Sequence, residues 1–264
     1  MVNSNKPSRL PTIFKEKVWG RTDLSPWYPD SSRKIGEVWF EADLPVLVKF
    51  VFTSERLSVQ VHPDDAFAAR HENSRGKTEM WHILKADPGA QIALGFRERI
   101  TPERMREAAV SGEIEHLLRW FDVKAGDSFF TPAGTVHAIG AGLTICEIQQ
   151  HSDITYRLYD YGRPRELHLD KALQVSLTGP ADIAPRPFPI SCEYFHTEQM
   201  CFDRPIVHTP KPNRFEILTV LAGRGVINDE PFQQGEAWLI PAASVSFSLA
   251  PGEPTRILRT FVPD

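Results

Sequence analysis

The sequence predicts an all-β protein made of two jelly-roll barrels with a small helical insertion. The chain has 264 residues, enough for one large β unit or two small ones. Short apolar runs recur along it, and 22 prolines and 16 glycines separate them, which is typical of many short strands joined by turns. Two of the runs resemble each other, which indicates that one β unit occurs twice.

The internal similarity joins residues 125–133, AGDSFFTPA, to residues 234–242, QGEAWLIPA. Both segments run through glycine, an acid, a small residue, an aromatic residue and a bulky residue to proline and alanine. This pattern is typical of a jelly-roll hairpin. The first copy continues to His137, whereas the second continues with Ser244-Val-Ser-Phe247. We therefore expect the second barrel to have lost its chemistry and to be structural.

The first barrel is predicted from a series of strand-like runs. Residues 1–34 are rich in proline and polar residues and are expected to wrap the barrel and carry loops. The runs that follow lie at 36–40, 46–52, 57–62, 78–84, 126–137, 143–149 and 154–159. A proline-aspartate turn at 63–65 is expected to end the third of them.

Three helices are predicted among these strands. Thr101 can cap a helix that opens with a proline, and Gly112 is expected to end it. A short helix is predicted over 113–120 because its apolar residues share one side, and these two helices form the insertion at about 101–120. A third is predicted over 170–177.

The predicted domain organisation has three parts. The first barrel, with its N-terminal wrap and helical insertion, spans residues 1–177. Residues 178–189 form a linker, since their proline density is incompatible with regular structure. A degenerate second barrel spans residues 190–264.

The composition excludes several functional classes. The net charge is −4 and the basic residues are scattered, so no nucleic-acid partner is expected. The three cysteines, Cys146, Cys192 and Cys201, lack C-x-x-C spacing and fit a reducing compartment. No apolar run has the length of a membrane span, and the first residues lack the apolar core of a signal peptide. We therefore expect a cytoplasmic enzyme or binding protein with no membrane partner.

Polar side chains with ligand chemistry share one face of the predicted strands. In a strand, side chains two apart point the same way, so Gln60 and His62 share a face with Ser58. By the same rule Lys77 and Glu79 share a face of the next run, and the parity of Lys77 directs it toward the same cavity.

Two histidines and a glutamate from three strands, His62, Glu79 and His137, are the ligand class of catalytic zinc sites with open positions. The same nitrogen and oxygen set could hold iron or manganese. Three unrelated polar strand residues would give the same spacing, so spacing does not reject that alternative.

The other histidines are predicted to have different surroundings. Solvated positions are expected for His71, His116, His196 and His208. His82 falls on the strand face opposite Glu79, and a supporting role for His151 or His168 stays open. Arg157 shares a face with Tyr159 and Tyr161, in a run that is either a sheet exterior or a pocket for a polyhydroxylated anion.

Four motifs in this order closely resemble the type I mannose-6-phosphate isomerases. They are SVQVHPDD at 58–65, GKTE at 76–79, PAGTVHA at 132–138, and the segment 147–160 with EIQQ and TYRLYD. The resemblance is strongest from residue 35 to residue 163, and it implies a pair of cupin jelly rolls with a helical insertion. Two positions depart from the family pattern: His151 replaces a small polar residue or asparagine, and Arg21 replaces a glycine found in many members.

The resemblance also implies a site and a reaction. One zinc ion per chain would be held by His62, Glu79 and His137, with Gln60 as a fourth ligand as in some members of the family. An essential arginine would lie at Arg157, and Lys77 would face a sugar phosphate. The implied reaction interconverts mannose 6-phosphate and fructose 6-phosphate through an enediolate, which Arg157 would stabilise. We expect a small-molecule substrate and a monomer or homodimer.

The sequence leaves the catalytic base and two other functions open. Base candidates are Glu147, Asp160, Lys77, His151 and a zinc-bound hydroxide, because the assignment depends on geometry first. An iron-dependent oxygenase or a sensor that binds a sugar phosphate without turnover would use a similar barrel.

Overall fold

The computed structural model describes residues 5–181 and 183–264. Within these ranges it contains 21 strands in four sheets and four helices. Residues 1–4 of the predicted first barrel, and Asp182 of the predicted linker, lie outside the described residues.

The first half of the chain contains twelve strands. In chain order they are β1 (Ser8–Arg9), β2 (Thr12–Arg21), β3 (Ile35–Phe40), β4 (Val46–Phe52), β5 (Val59–Val61), β6 (Glu79–Ala86), β7 (Gln91–Phe96), β8 (Leu118–Asp122), β9 (Ser128–Thr131), β10 (His137–Ile139), β11 (Leu143–Gln150) and β12 (Tyr156–Tyr159). The helices are α1 (Asp65–Glu72), α2 (Pro102–Ser111), α3 (Ile114–Leu117) and α4 (Leu169–Val175).

The second half contains nine further strands. They are β13 (Ile190–Ser191), β14 (His196–Phe202), β15 (Ile206–His208), β16 (Glu216–Ala222), β17 (Arg224–Ile227), β18 (Glu230–Gln233), β19 (Ala237–Ile240), β20 (Phe247–Pro251) and β21 (Thr255–Phe261).

Two antiparallel sheets form the first barrel, in the orders β2-β3-β4-β11-β6-β9 and β12-β5-β10-β7-β8. Their inward faces share one apolar cluster, in which Trp81 of β6 and Ile92 of β7 pack with Ile139 of β10. Helices α2 and α4 cover the outer face of the second sheet, since Met105 and Ala172 cluster there with strand residues such as Val61. The strands β5, β10 and β12 are therefore held between a packed barrel interior and a layer of helices.

The second barrel repeats this arrangement with sheets ordered β13-β14-β21-β16-β19-β1 and β15-β20-β17-β18. The similar sequence segments form matching hairpins: Gly126 and Gly235 have φ values of +97° and +86°. Their N–H groups donate to the carbonyls of Ile83 and Val220, which lie on β6 and β16. Glycine tolerates this left-handed backbone, which explains its place in both copies. The predicted all-β class, with two jelly-roll barrels and a helical insertion, is confirmed.

The two barrels pack back to back. One apolar cluster joins Phe50 and Ile148, on the outer face of the first barrel, to Ile217, Leu258 and Phe195 of the second half. The N-terminal strand β1 pairs with β19, so the first described residues belong to a sheet of the second barrel.

Two elements, near the N-terminus and in the insertion, differ from what the sequence specified. Residues 12–21, within the segment expected to wrap the barrel and carry loops, form the ten-residue strand β2, which was not predicted. The helix predicted over 113–120 ends at Leu117, and β8 begins at Leu118 and pairs with β7. Trp120 and Phe121 fit a pleated, half-buried surface better than a helix, so tertiary pairing overrides the helical periodicity.

Other local signals have clear outcomes. Helix α2 begins after Thr101, whose hydroxyl accepts from the N–H of Arg104, and ends at Gly112 as predicted. Helix α1 was not predicted, although Asp64 caps it by accepting from the N–H of Phe67. The aspartate that we assigned to a turn is therefore also a helix cap.

The proline-rich residues 178–189 lie against the first barrel. Pro180 bridges to Phe96, Ile183 is buried, and the N–H of Arg186 donates to the carbonyl of Ser128. None of the helices in the described ranges combines the length and apolar character needed to cross a membrane.

Candidate metal centre

Three strands bring two histidines and a glutamate together inside the first barrel. His62 directly follows β5, Glu79 opens β6 and His137 opens β10. The Nε2 atoms of His62 and His137 lie 3.6 and 3.5 Å from the two carboxylate oxygens of Glu79. The three side chains are 1–2% exposed, and across the described residues they make up the one group of this kind. The arrangement places two nitrogens and one carboxylate around a common centre.

Hydrogen bonds on the far side of each ring orient the two imidazoles. His62 Nδ1–H donates to the carbonyl of Ile154 at 2.7 Å, and His137 Nδ1–H donates to that of Thr135 at 2.9 Å. A neutral imidazole with its proton on Nδ1 presents the Nε2 lone pair, so both lone pairs are available at the centre. Backbone carbonyls hold metal-binding histidines in the same way in known sites.

Two buried atoms at the centre have no hydrogen-bond partner among the described residues, namely His62 Nε2 and Glu79 Oε2. A buried polar atom without a partner costs free energy, and native structures contain few of them. A cation between the three side chains would satisfy both atoms, so the residues present fit a metal.

The pKa values of both histidines favour the neutral form that binds metals. Burial, with a contribution from Lys77, lowers the pKa of His62 well below its usual value. Burial also lowers the pKa of His137 to about 4. Both rings are therefore unprotonated near neutral pH, and neutral imidazole is the form that coordinates a metal.

Gln60 lies beside the centre but turns its amide nitrogen toward it. Gln60 Nε2 is 3.2 Å from His137 Nε2, while Gln60 Oε1 accepts from the hydroxyl of Ser58 at 3.0 Å. An amide nitrogen is not a ligand, but a half-turn of the terminal amide would exchange its two atoms. Direct ligation by Gln60 depends on that rotation.

A cavity of about 200 Å³ opens beside the cluster. Its charged walls consist of Lys17, Glu37, Lys49, Lys77, Glu79, Glu147, Asp153, Arg157 and Arg165, with His168. A larger groove of about 660 Å³ lies at the second barrel, but it contains none of the clustered histidines. The smaller cavity is the one that combines a candidate metal centre with a concentration of charge.

A buried ionic network forms the floor of this cavity. Lys49 Nζ lies 2.9 Å from Glu147 Oε1 and 3.3 Å from Glu37 Oε1, and Lys77 Nζ lies 3.5 Å from Glu79 Oε2. The sequence analysis missed Lys49 and Glu37. A signal was present, because each is a charged residue inside a short, otherwise apolar strand.

The network shifts the pKa values of its carboxyl groups in opposite directions. Burial alone would raise the pKa of Glu37, but Lys49 and Lys17 lower it to about 2. Burial raises the pKa of Glu147 despite the nearby Lys49. Glu147 is therefore the carboxylate of this cavity that takes up a proton more readily than a free glutamate.

Arg157 lies on the cavity wall next to the metal centre. Its strand β12 pairs with β5, which places Arg157 opposite Gln60. Its Nε atom is buried without a partner, and burial together with Arg165 lowers the pKa of its guanidinium. Tyr159 and Tyr161 stack edge to face on each other and are absent from the cavity lining, so they do not extend the pocket.

The structure separates the candidates for the catalytic base. Glu147 and Lys77 line the cavity. Asp160 instead forms two 2.6 Å contacts with the guanidinium of Arg165, and His151 Nδ1 donates to the carbonyl of Leu44. Neither Asp160 nor His151 lines the cavity.

The prediction that His208 is solvated was wrong. His208 is buried, and its Nε2 lies 2.7 Å from Glu216 Oε2 in the second barrel. Glu216 occupies the register position of Glu79, because Glu216 faces Ile240 of β19 as Glu79 faces Thr131 of β9. The second barrel thus keeps a buried glutamate at this position, with one histidine beside it.

Charges at that second position are the reverse of those in the first barrel. Arg259 pairs with Glu198 across β21 and β14, where the first barrel pairs Glu147 with Lys49 across β11 and β4. The guanidinium of Arg259 lies 3.3 Å from Glu216 and 2.8 Å from Glu198. A fixed positive group therefore neutralises Glu216 there.

The chain is similar to curated mannose-6-phosphate isomerases. It is 46% identical over 181 residues to one from Streptococcus mutans, a match that covers 66% of this chain and 57% of the relative. It is 33% identical to mannose-6-phosphate isomerase ManA of Bacillus subtilis, over 93% of this chain and 96% of the relative. No protein-family model matches the chain.

Solved structures show the same fold. The crystal structure of the mannose 6-phosphate isomerase from Bacillus subtilis superposes with a TM-score of 0.87 at 28% identity, covering 97% of this chain and 99% of that one. A mutant of phosphomannose isomerase from Salmonella typhimurium superposes with a TM-score of 0.77 at 16% identity, covering 97% and 100%. At that identity the second match shows the fold alone.

Proposed function

The chain belongs to the mannose-6-phosphate isomerase family and is an enzyme of that class, and we propose that it interconverts mannose 6-phosphate and fructose 6-phosphate with one zinc ion. The observation that carries the proposal is the centre formed by His62, Glu79 and His137, in which His62 Nε2 and Glu79 Oε2 lack hydrogen-bond partners, beside a cavity lined by five basic and four acidic side chains.

We propose zinc because two imidazoles and one carboxylate are the ligands of catalytic zinc sites that keep positions open. When bound, the ion supplies a Lewis acid that polarises a sugar oxygen. His62, Glu79 and His137 would hold it, and Gln60 would join them after rotation of its amide. The carbonyls of Ile154 and Thr135 keep the two rings in the ligating tautomer.

The reaction moves a proton between the first two sugar carbons through an enediolate. We propose Glu147 as the group that holds this proton, since its buried carboxylate lines the cavity and Lys49 fixes it at 2.9 Å. Its raised pKa brings it closer to the working pH, where a general base is most effective. Arg157 would stabilise the negative charge of the enediolate, and Lys77 would contact a substrate oxygen.

A coupled assay tests this function. Purified protein is incubated with mannose 6-phosphate, and the appearance of fructose 6-phosphate is followed with the zinc-loaded and the chelator-treated enzyme. We expect turnover that chelation abolishes and added zinc restores, with or without oxygen. Binding without turnover would instead indicate a sensor, and a requirement for iron and oxygen would indicate an oxygenase.

A further inference from the structure

His168 lies at the open edge of the strand that carries Arg157. The backbone N–H of His168 donates to the carbonyl of Arg157 at 2.8 Å, and the N–H of Arg157 donates back to the imidazole Nδ1 of His168 at 3.2 Å. Although His168 occupies the position before helix α4, its side chain does not cap that helix. The imidazole is thus bound to the backbone of Arg157 instead.

This pair of hydrogen bonds determines where the imidazole carries its proton. A backbone N–H can only donate, so Nδ1 must accept and cannot itself be protonated. A neutral ring then carries its proton on Nε2. Burial and the charge of Arg157 lower the pKa of His168, which favours the neutral ring. Nε2–H is therefore a fixed hydrogen-bond donor.

His168 lines the same cavity as Arg157 and Arg165. The Oε2 atom of the exposed Glu166 lies 3.9 Å from His168 Nε2, which is beyond hydrogen-bond distance. The buried Asp160 fixes the guanidinium of Arg165 through two 2.6 Å contacts. At this end of the cavity, one oriented N–H donor and two guanidinium groups therefore face the same space.

We propose that His168 binds the phosphoryl group of the sugar phosphate through Nε2–H, with Arg165 supplying charge beside it. The order of the elements supports this role: His137 on β10, Gln60 on β5 and Arg157 on β12 follow one another across the sheet, and His168 lies beyond its edge. With its reacting carbons at the metal centre, a sugar phosphate lying along this row would bring its sixth carbon and phosphate to this edge.

The inference rests on the proposed function, so its test separates the two. The zinc-loaded protein is titrated with mannitol 6-phosphate, which cannot be isomerised, by calorimetry, and KM and kcat are measured with mannose 6-phosphate. Absence of turnover with intact mannitol 6-phosphate binding would overturn the function but not the role of His168. If the wild-type protein does not bind mannitol 6-phosphate, the proposed role of His168 in binding the phosphoryl group is overturned.

Two substitutions separate the acceptor function of His168 Nδ1 from the donor function of Nε2. His168→Asn keeps an acceptor near the position of Nδ1 and removes the Nε2 donor, whereas His168→Gln keeps a donor near the position of Nε2. We expect His168→Asn to weaken mannitol 6-phosphate binding and raise KM about tenfold, as the loss of a hydrogen bond to a charged group does, with a much smaller change in kcat. His168→Gln should recover part of the affinity, and His116→Asn, on the exposed face of α3, is the matched control.

The proton position has a direct readout that does not depend on activity. Long-range ¹H–¹⁵N spectra of the wild type should show Nδ1 of His168 unprotonated and Nε2 protonated, with the signal assigned by its loss in either variant. A proton on Nδ1 overturns the proposal. So does unchanged mannitol 6-phosphate affinity in His168→Asn, or an equal loss in both variants accompanied by a lower melting temperature, which would indicate a structural role.

Discussion

The position of one proton on each imidazole determines what the histidines of the first barrel can do. His62 and His137 carry it on Nδ1, facing backbone carbonyls, so their Nε2 lone pairs point to Glu79. His168 has the opposite tautomer, because a backbone N–H faces its Nδ1. A histidine can therefore serve as a metal ligand at the metal centre and as a hydrogen-bond donor at the edge of the sheet.

The first residue-scale prediction concerns the metal. His137→Ala should lose bound zinc and activity together, because it removes one of the two imidazoles from the set of two nitrogens and one carboxylate that a tight site with open positions needs. Plasma mass spectrometry on the purified variant measures the metal. His82→Gln is the matched control, since His82 is equally buried but bonds to Ser128 on the other face of β6. Full metal content in His137→Ala would contradict the assignment.

The second residue-scale prediction concerns the catalytic role of Arg157. Arg157→Ala should lower kcat by about 10²–10³, as the loss of a donor to a developing negative charge does. Bound zinc should remain, because the guanidinium does not contact the three ligands. Turnover and metal content are measured on the same preparation, and Arg157→Lys shows whether charge without the planar fork is sufficient. Near-normal turnover in the alanine variant would contradict the proposed role of Arg157 in stabilising the enediolate.

At the scale of elements, the two barrels use one strand framework for different chemistry. The hairpin at Gly126 and its copy at Gly235 place Glu79 and Glu216 at the same register position. In the first barrel two histidines face the glutamate, and in the second one histidine, His208, and the guanidinium of Arg259 do. The framework fixes where a carboxylate is buried, and a few neighbouring residues determine which cation it binds.

That difference predicts how the second barrel responds to pH. Burial alone would raise the pKa of Glu216, but the hydrogen bond with His208 and the charges of Arg259 and Arg214 lower it below its usual value. A carboxyl group with a lowered folded-state pKa contributes stability above its unfolded pKa, and that contribution is lost as pH falls through the folded value.

We therefore expect Glu216→Gln to reduce the free energy of unfolding by about 3 kcal/mol at pH 7, because it removes the buried carboxylate that faces the half-buried Arg214 and Arg259. The difference in free energy of unfolding between the wild type and the variant should become smaller as pH falls below about 4.3, the pKa of an unperturbed glutamate. Urea unfolding at pH 7, 5 and 3.5 measures both quantities. A difference that stays constant over this range would contradict the ion-pair explanation.

At the scale of the whole molecule, the barrels share one apolar layer. Phe50 is fully buried in it, with edge-to-face contacts to Phe40, Trp27 and Tyr28, and the same cluster reaches Ile217 and Leu258 of the second half. The two sheet faces that meet in this layer are shielded from solvent, so each barrel completes the burial of the other. The stability of the first barrel, which holds the metal centre, therefore depends on residues that lie outside it.

Phe50→Ala should cost about 3–5 kcal/mol, the range for removing a large side chain from a packed core. Tryptophan fluorescence and far-UV circular dichroism should then report one shared transition at lower urea concentration, since loosening this layer loosens both barrels. Phe14→Ala is the control, because Phe14 is 46% exposed on β2 and its loss should cost much less. Two separate transitions would show that the barrels fold independently.

Much of the fold and part of the site could be read from local patterns. Strand alternation gave the shared face of Gln60 and His62, and capping residues gave the bounds of α2. These predictions succeeded because backbone geometry and capping involve neighbours along the chain. The strand β8 was missed because its apolar residues also fit a helical pattern. Its pairing with β7, which determines the outcome, involves residues that are distant in the sequence.

Residue order was enough to predict an all-β protein with a duplicated hairpin and a set of candidate metal ligands, since strand alternation, turn residues and short motifs are patterns among near neighbours. Only the folded chain shows which charges face the ligands and where the imidazole protons lie. Lys49 reaches Glu147 across two strands, and His62 donates to the carbonyl of Ile154, 92 residues away. Such contacts join distant segments, and their electrostatic effect depends on burial that no local pattern specifies.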